Sequence, residues 1–343
     1  MRRQTIKDVA KEAGVSTAAV SYVLNGKEGK VSPNTLTKIK DAIINLNYIP
    51  NFSARSLVNK RSKLIGVVIP QTEEHSQLLL ENPFYSQIVS GIESELRRRG
   101  YHLILSGVNK GEGYLDTTLQ RNLDGAIITG IYSETFYEEL KKIKIPIVLI
   151  DSYIHGSNFR NIGINDELGG FMATKHLIEQ GHTNIALVSG TIKKEGVVEK
   201  RFLGYKSAFK ESGIFYNPDY VFEDSVSYEY GVTAGKIIAQ KYPEVTAIFA
   251  TSDMMALGVI TGLQEFGKQV PDDVSLIGFD DIPISKIFIP QLTTIRQDIK
   301  AKGIKAAQCL LQTIQGTASD DDFDKIILPI ELVERQSVKR IKL

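Results

Sequence analysis

The chain has 343 residues, more than one ordinary domain holds, and two or three folding units are therefore expected. Its longest apolar stretches, such as KLIGVVIP, are far too short to span a bilayer, and no apolar signal region follows the N-terminal charges. These features predict a cytoplasmic protein. The single cysteine, Cys309, has no disulfide partner, which argues against a cysteine metal site and fits a core residue in a reducing compartment.

The near-neutral net charge conceals an asymmetry along the chain. Residues 1–63 hold 12 Lys+Arg and 4 Asp+Glu, a net charge of +8, out of totals of 41 and 40. The remainder therefore holds 29 basic and 36 acidic side chains, a net charge of −7. A basic head on an acidic body suggests that the head binds a polyanion. A charged solubilising tail is the alternative, but such a tail would lack the apolar periodicity of this segment.

The opening segment TIKDVAKEAGVSTAAVSYVLNG predicts two short helices joined by a tight turn. Thr5 can cap the first helix with Asp8 in a capping box, and Gly14 can end it. Ser16 can cap the second helix, which ends near Asn25. The apolar positions of both helices recur at helical spacing and predict one shared core, formed by Ile6, Val9, Ala10, Ala13, Ala19, Val20, Val23 and Leu24.

A third helix is predicted at SPNTL, with Ser32 as its N-cap and Pro33 at its first position. Three short helices of this kind form a helix-turn-helix unit, whose second helix enters the major groove of DNA. The outward-facing residues of that helix are Thr17, Ala18, Ser21 and Tyr22. A three-helix protein-interaction module would satisfy the same apolar pattern, but the basic balance of the head favours DNA.

From residue 63 onward, short apolar runs alternate with helical segments. LIGVVIP, YHLILSG, DGAIITG and IPIVLID form one series, and NIALVSG, TAIFATS and VSLIGFD form a second. Continuous Val/Ile/Leu strands alternating with helices predict doubly wound parallel sheets covered on both faces, the α/β class. Two series predict two lobes.

In open α/β sheets, ligands lie beyond the carboxyl ends of the strands. Asp151, Ser252, Asp253, Asp280 and Asp281 follow predicted strands directly and would face a cleft between the lobes. Paired carboxylates could hydrolyse a glycoside or could accept hydrogen bonds from sugar hydroxyls. Binding is favoured, because the sequence contains no phosphate-binding loop, nucleophile elbow or metal-ligand spacing. We expect no enzyme activity, no cofactor and no metal.

The segments TIKDVAKEAGVSTAAVSYVLNG and VSPNTLTKIKDAIINLNYIPNFSARSL resemble the DNA-binding region of the LacI/GalR family of bacterial transcriptional regulators. The resemblance continues through essentially the whole chain. It implies a helix-turn-helix head over residues 1–49, a hinge helix over 50–62 and a two-lobed core like that of periplasmic binding proteins. The N-terminal lobe would comprise 63–164 with 295–325, and the C-terminal lobe 165–294 with 326–343.

The resemblance also implies a homodimeric repressor that binds a pseudo-palindromic operator. Within NYIPNFSARSL, Leu57 matches a leucine that enters the minor groove, and Arg55 is placed for a phosphate. An ordinary linker, with Leu57 packed on the body, is the alternative. The helix-turn-helix residues Thr5, Ser16 and Asn25 complete the expected DNA-binding set. The chain ends soon after its last strand without a heptad run, which favours a dimer over the tetramers that some relatives form.

For the cleft, the resemblance implies a small allosteric effector, a sugar or sugar phosphate, held between the lobes. Asp280 and Arg201 match its main polar contacts. Further lining positions are Phe84, Tyr85, Asp151 and Ser252. Structural roles are the alternative for such residues. Arg201 could form a surface ion pair, Phe84 could lie in the core, and Asp253, beside Ser252, could cap a helix. The segment PQTEEHSQLLLENPFY is longer than usual in the family and predicts a short lid around residues 71–82. A surface loop or an extended dimer contact is the alternative.

Two other functions remain open at this point. A periplasmic-type sugar-binding protein would share the two-lobed body, but it would need a signal peptide and would not carry the basic head. A regulator could also answer to a partner protein, such as a phosphorylated phosphocarrier, instead of a small ligand.

Overall fold

The computed structural model describes residues 4–49, 61–70, 80–108, 122–130, 138, 140–153, 159–318 and 325–341. The chain divides into two units, Met1–Lys63 and Leu64–Leu343. We call the first unit the head and the second the body. Residues 50–60 of the expected hinge segment and residues 71–79 of the expected lid lie outside the described residues.

Among its described residues, the head has three α-helices, α1 (Ile6–Ala13), α2 (Thr17–Leu24) and α3 (Pro33–Asn45). The predicted caps are confirmed. The Thr5 side chain and Asp8 form a reciprocal capping box, and Gly14 ends α1 in the left-handed conformation at φ 64°. The side chains of Ser16 and Ser32 accept hydrogen bonds from the backbone N–H groups three residues on. The helices enclose one small core, made of Val9, Ala10, Ala13, Val20, Val23, Ile39, Ala42 and Tyr48.

The body contains two six-stranded sheets, and the predicted α/β class is confirmed. The first sheet has the order β11-β5-β4-β3-β1-β2, and all of its pairs are parallel. Its strands are β1 (Leu64–Pro70), β2 (His102–Val108), β3 (Gly125–Thr129), β4 (Ile147–Ile150), β5 (Arg160–Ile164) and β11 (Lys325–Leu328).

The second sheet has the order β12-β10-β9-β8-β6-β7 and is parallel except for the antiparallel pair of β10 and β12. Its strands are β6 (Ile185–Gly190), β7 (Val221–Asp224), β8 (Ala247–Ala250), β9 (Ser275–Asp280), β10 (Thr293–Gln297) and β12 (Ile330–Val333). The buried strands β3, β4, β6 and β8 are mainly apolar runs, as is usual in parallel sheets covered on both faces.

Six further α-helices lie in the described part of the body. The tightest helix pairs are α4 with α9, α5 with α6, and α7 with α8. Their bounds are α4 (Pro83–Arg98), α5 (Asp166–Glu179), α6 (Val197–Glu211), α7 (Tyr228–Lys241), α8 (Asp253–Gln264) and α9 (Ile299–Gln315).

The chain passes between the two sheets three times. The passages follow Ile164 at the end of β5, Gln297 at the end of β10 and Leu328 at the end of β11. The sequence predicts these passages after residues 164, 294 and 325. In the structure, the second and third passages therefore lie three residues later than predicted. The reason is that β10 pairs with β9 through Arg296, and β11 pairs with β5 through Leu328. The predicted boundaries at 294 and 325 would have divided β10 and β11, whereas in the structure each strand lies whole within one sheet.

Within the described residues, no helix is both long and apolar enough to cross a membrane. The same residues hold no cluster of three or more side chains able to bind a metal ion.

Candidate functional site

The second helix of the head presents a small polar surface. Ser16, Thr17 and Ala18 are exposed at its N-terminus, Ser21 is half-buried, and Tyr22 is 42% exposed. The opposite face of this helix is buried in the head core. Small and hydroxyl-bearing side chains at the free N-terminal end of a helix can approach base edges closely, as the second helix of a helix-turn-helix does.

Two other expected DNA-binding residues have local structural roles. The Thr5 hydroxyl donates to Asp8 Oδ2 at 2.7 Å and accepts from the Asp8 backbone N–H, so it is occupied by the capping box. The Asn25 amide donates to the Ser21 carbonyl and approaches the Ser21 hydroxyl. The Asn25 Oδ1 atom is buried and has no hydrogen-bond partner among the described residues. Arg55 and Leu57 lie outside the described residues.

Arg201 lies at the centre of a buried polar network in the body. Its Nε donates to Asp166 Oδ1 at 2.9 Å, and its NH1 donates to the Thr251 carbonyl at 2.6 Å and lies 3.8 Å from Asp280 Oδ1. The guanidinium also covers the ring of Phe279 at 3.6 Å. Burial alone lowers the pKa of Arg201, but Asp166 and Asp280 raise it more, so the pKa lies above its ordinary value. Arg201 is therefore a fully charged, buried group and not a surface ion pair.

A second cation, Lys302, completes this network from helix α9. Its ammonium donates to Asp151 Oδ1 at 2.7 Å, to Asp151 Oδ2 at 2.9 Å and to Gln297 Oε1 at 2.5 Å. The Gln297 amide in turn donates to Asp280 Oδ1 at 2.6 Å. Burial raises the pKa of Asp151, and the Lys302 charge opposes that rise. Gln297 thus joins a charge pair of the first lobe to a carboxylate of the second.

Close helix packing holds Arg201 beside Asp166. Gly204 on α6 lies so near α5 that a Cβ there would be 2.0 Å from the Glu167 carbonyl oxygen. A Cβ at Gly170 on α5 would be 2.1 Å from the Arg201 carbonyl oxygen. Both distances are far below van der Waals contact, so only glycine lets the two helix backbones approach this closely. The first turns of α5 and α6 therefore bring the carboxylate and the guanidinium together.

The backbone at the end of β9 is strained. Asp280 has φ 115° and Asp281 has φ 55°, values that non-glycine residues rarely adopt. Burial raises the pKa of Asp280 to about 6, although Arg201 and the Gln297 amide oppose that rise. Strained, buried carboxylates with a raised pKa are typical of functional sites.

The remaining predicted cleft residues have different surroundings: the aromatic pair lies near the network, and Ser252 caps a helix. Phe84 lies near the network, with its ring centroid 5.8 Å from Lys302 Nζ, and packs edge-to-face against Tyr85 at 5.4 Å. Ser252 is buried, and its hydroxyl caps helix α8 by accepting from the Met255 N–H at 3.2 Å. The alternative in which Asp253 caps this helix is wrong, because Ser252 fills that role.

Asp253 has a different environment. Its carboxylate is fully buried and accepts hydrogen bonds from the Thr294 hydroxyl, the Ser285 hydroxyl and the Ile282 N–H, at 2.6, 2.7 and 2.9 Å. It therefore ties the segment after β9 and strand β10 to the start of α8.

The sequence missed three members of the network, namely Asp166, Gln297 and Lys302. Asp166 follows β5, whose sequence RNIGI carries a charged and a polar residue and was not recognised as a strand. Lys302 lies in IKAKGIKAA, where lysines at this spacing are typical of an exposed helix face. Its burial results from the packing of α9 against α4 and the first sheet, which the helical pattern alone does not contain.

Two family models match the chain. The model for bacterial regulatory proteins of the lacI family matches residues 5–51, and a periplasmic binding protein-like domain matches residues 174–338. The first match covers the helix-turn-helix head, and the second lies within the two-lobed body.

Curated and solved proteins are similar over nearly the whole length. The HTH-type transcriptional repressor PurR of Vibrio vulnificus is 37% identical, over 98% of this chain and 99% of that protein. The lac repressor dimer bound to operator and the anti-inducer ONPF has a TM-score of 0.85 at 29% identity, over 98% of this chain and all of that one. The transcriptional regulator CelR in complex with cellobiose has a TM-score of 0.71 at 30% identity, with the same coverage.

Proposed function

Since this chain belongs to the lacI family of bacterial regulatory proteins, we propose that it represses transcription from an operator whose occupancy a sugar controls. Like its relatives, it is a DNA-binding transcriptional regulator and not an enzyme. Control by a small ligand is favoured over control by a partner protein, because solved relatives carry ligands. We expect it to act in the cytoplasm, where the operator DNA lies.

The observation that carries this proposal is the buried network of Asp166, Arg201, Asp280, Gln297 and Lys302. It lies at the passages between the two sheets and joins groups from both. Moving charged groups out of water costs free energy, so a buried charged cluster is expected mainly where it has a function. In ligand pockets, a few such polar groups orient the bound molecule. We place the effector in the cleft against this network.

The charges of the network favour an uncharged effector. Among the described residues there, three carboxylates (Asp151, Asp166 and Asp280) outnumber the two cations, and both cations already donate to carboxylates or carbonyl oxygens. A phosphate would need a cation that is free to bind it. Sugar hydroxyls can donate to Asp280 and accept from Arg201 without adding charge. Of the two classes expected from the sequence, we therefore propose a neutral sugar and not a sugar phosphate.

Repression by this route requires coupling between ligand and DNA. A ligand that binds two lobe arrangements with different affinity shifts their populations, and the coupling to DNA is reciprocal. We propose that the hinge residues Arg55 and Leu57 transmit the change, as the resemblance implies. Leu57 would enter the central minor groove of the operator, and the α2 residues Thr17, Ala18, Ser21 and Tyr22 would read the flanking half-sites.

We also propose that the protein is a homodimer. A pseudo-palindromic operator requires two heads related by a two-fold axis. The body exposes three isoleucines in one short segment, Ile284, Ile287 and Ile289, at 40%, 71% and 81% exposure. Asp253 holds the start of this segment through Ile282 and Ser285. An ordered, exposed apolar segment of this kind suits contact with a second copy of the chain.

The test combines ligand and operator binding by the full chain. An operator is first selected from randomised double-stranded DNA, and sugars and sugar phosphates are screened for a rise in the melting temperature of the protein. A neutral sugar that raises the melting temperature should also change operator affinity, and Asp280→Ala should abolish that change while operator binding persists. Loss of operator binding by a folded Asp280→Ala protein would contradict the site assignment. Stabilisation by sugar phosphates alone would contradict the charge argument.

A further inference from the structure

A pocket of about 240 Å³ opens on the body beside the network but apart from the Arg201 guanidinium. We call it the Tyr153 pocket. Its lining comes from both sheets and their helices, since Tyr153, Ile164 and Ile327 belong with the first sheet and Lys200 lies on helix α6. The other lining residues are Asn165, Glu167 and Lys325.

Two lysines approach the ring of Tyr153 in this pocket. The Nζ atom of Lys325 lies 3.7 Å from the ring centroid, and that of Lys200 lies 5.6 Å from it. Among the described residues, neither ammonium has a carboxylate within salt-bridge distance. Burial lowers the pKa of Lys325, opposed by the more distant Asp166 and Asp151. An ammonium that has no ion-pair partner among the described residues can form a charge-assisted hydrogen bond with a bound anion.

Two further features suit an anion. Helix α5 begins at this pocket, and its N-terminus carries a partial positive charge. Asn165 caps that helix with its side-chain oxygen, which accepts from the Leu168 N–H, so its amide group remains as a donor. Among the described lining residues, Glu167 alone is acidic, and its side chain is exposed.

The hydroxyl of Tyr153 sets this pocket apart from the effector cleft. It donates to Asp166 Oδ2 at 2.6 Å, while Asp166 Oδ1 accepts from Arg201. Asp166 is therefore shared, with one oxygen directed to each site. The ring of Tyr153 and the side chains of Ile164 and Ile327 give the pocket an apolar surface next to its two cations.

We propose that the Tyr153 pocket binds a small molecule whose carboxylate or phosphate lies between Lys200 and Lys325 and whose apolar body rests on Tyr153 and Ile164. This site is distinct from the effector cleft: it takes an anion, whereas the cleft takes a neutral sugar. Because its two lysines come from different lobes, an anion bound to both links the lobes directly. Occupation of the pocket would favour one lobe arrangement and so modulate the regulator from a second site.

The test uses isothermal titration calorimetry of the full chain with phenyl phosphate. Benzoate tests whether a carboxylate suffices, inorganic phosphate tests the need for the apolar body, and benzyl alcohol tests the need for charge. We expect phenyl phosphate and benzoate to bind, inorganic phosphate to bind more weakly and benzyl alcohol not to bind. Lys200→Met and Lys325→Met should each lower the affinity about tenfold, as the loss of one charge-assisted contact implies.

Two control variants keep the result specific. Lys206 lies on the same helix as Lys200 and covers the Phe202 ring at 4.4 Å, outside the pocket, so Lys206→Met should leave binding unchanged. Asp280→Asn should also leave it unchanged, because Asp280 belongs to the effector cleft. Equal losses in Lys206→Met and the pocket variants would reveal non-specific attraction. No binding of phenyl phosphate, or loss of binding in Asp280→Asn alone, would overturn the proposal.

Discussion

Replacement of Lys302 by methionine tests whether the buried network is a connected electrostatic unit. Methionine keeps most of the side-chain volume and removes the ammonium that contacts both oxygens of Asp151 and the Gln297 oxygen. Lys302 is 1% exposed, so water cannot replace the lost charge without repacking. The variant therefore leaves Asp151 as a buried carboxylate without its cation.

Breaking a buried ion pair in this way costs about 3–5 kcal/mol, because the remaining charge stays desolvated. For a body of this size, that loss corresponds to a fall of roughly 10 °C in melting temperature. The free energy of unfolding is measured by urea titration with circular dichroism, alongside thermal melts. Lys300→Met is the matched control, since Lys300 lies on the same helix but is exposed, and it should change stability by less than about 0.5 kcal/mol.

The double variant Lys302→Met with Asp151→Asn separates charge from packing. Removing both charges should recover most of the lost stability, since a neutral pair has no uncompensated carboxylate. A loss below about 1 kcal/mol for Lys302→Met would refute the argument that the pair is buried and coupled. A double variant that is no more stable than the single one would show that packing of the lysine stem, and not its charge, dominates.

Three further predictions follow from the same geometry. Gly204→Ala should lower the free energy of unfolding by roughly 1–3 kcal/mol in urea titrations, because a Cβ there would be 2.0 Å from the Glu167 carbonyl oxygen. Gly29 has open space around it, so Gly29→Ala should have little effect. The pKa of Asp280 is about 6 in the folded protein against an ordinary 3.8, so the folded state binds more protons between these values. Its contribution to the free energy of unfolding should therefore fall as pH rises through that window, and Asp280→Asn should remove this dependence. Leu57→Ala should weaken specific operator binding far more than non-specific binding in fluorescence anisotropy titrations, and equal losses would argue against minor-groove insertion.

Much of the head could be predicted because its signals are local. A cap, a left-handed glycine and an apolar stripe each act within a few residues, and the Thr5 capping box and the Gly14 terminus are present in the structure. Six of the seven apolar strands were predictable for a similar reason, since burial on both faces leaves a continuous apolar run. The seventh, β2, lies at a sheet edge but is also largely apolar. By contrast, β7 has the sequence VFED and pairs at a sheet edge, where one side is exposed and the apolar signal fades.

The sequence by itself determined the fold class, the basic head and the placement of Asp151 and Asp280 at the ends of strands. Only the tertiary structure decided which of the many charged residues meet. Lys302 resembles any surface lysine until α9 packs against the first sheet, and Asp166 resembles an ordinary first-turn acid until α6 brings Arg201 beside it. The physical reason is that burial and charge pairing depend on contacts between distant segments, and Lys302 and Asp151 are 151 residues apart in the chain.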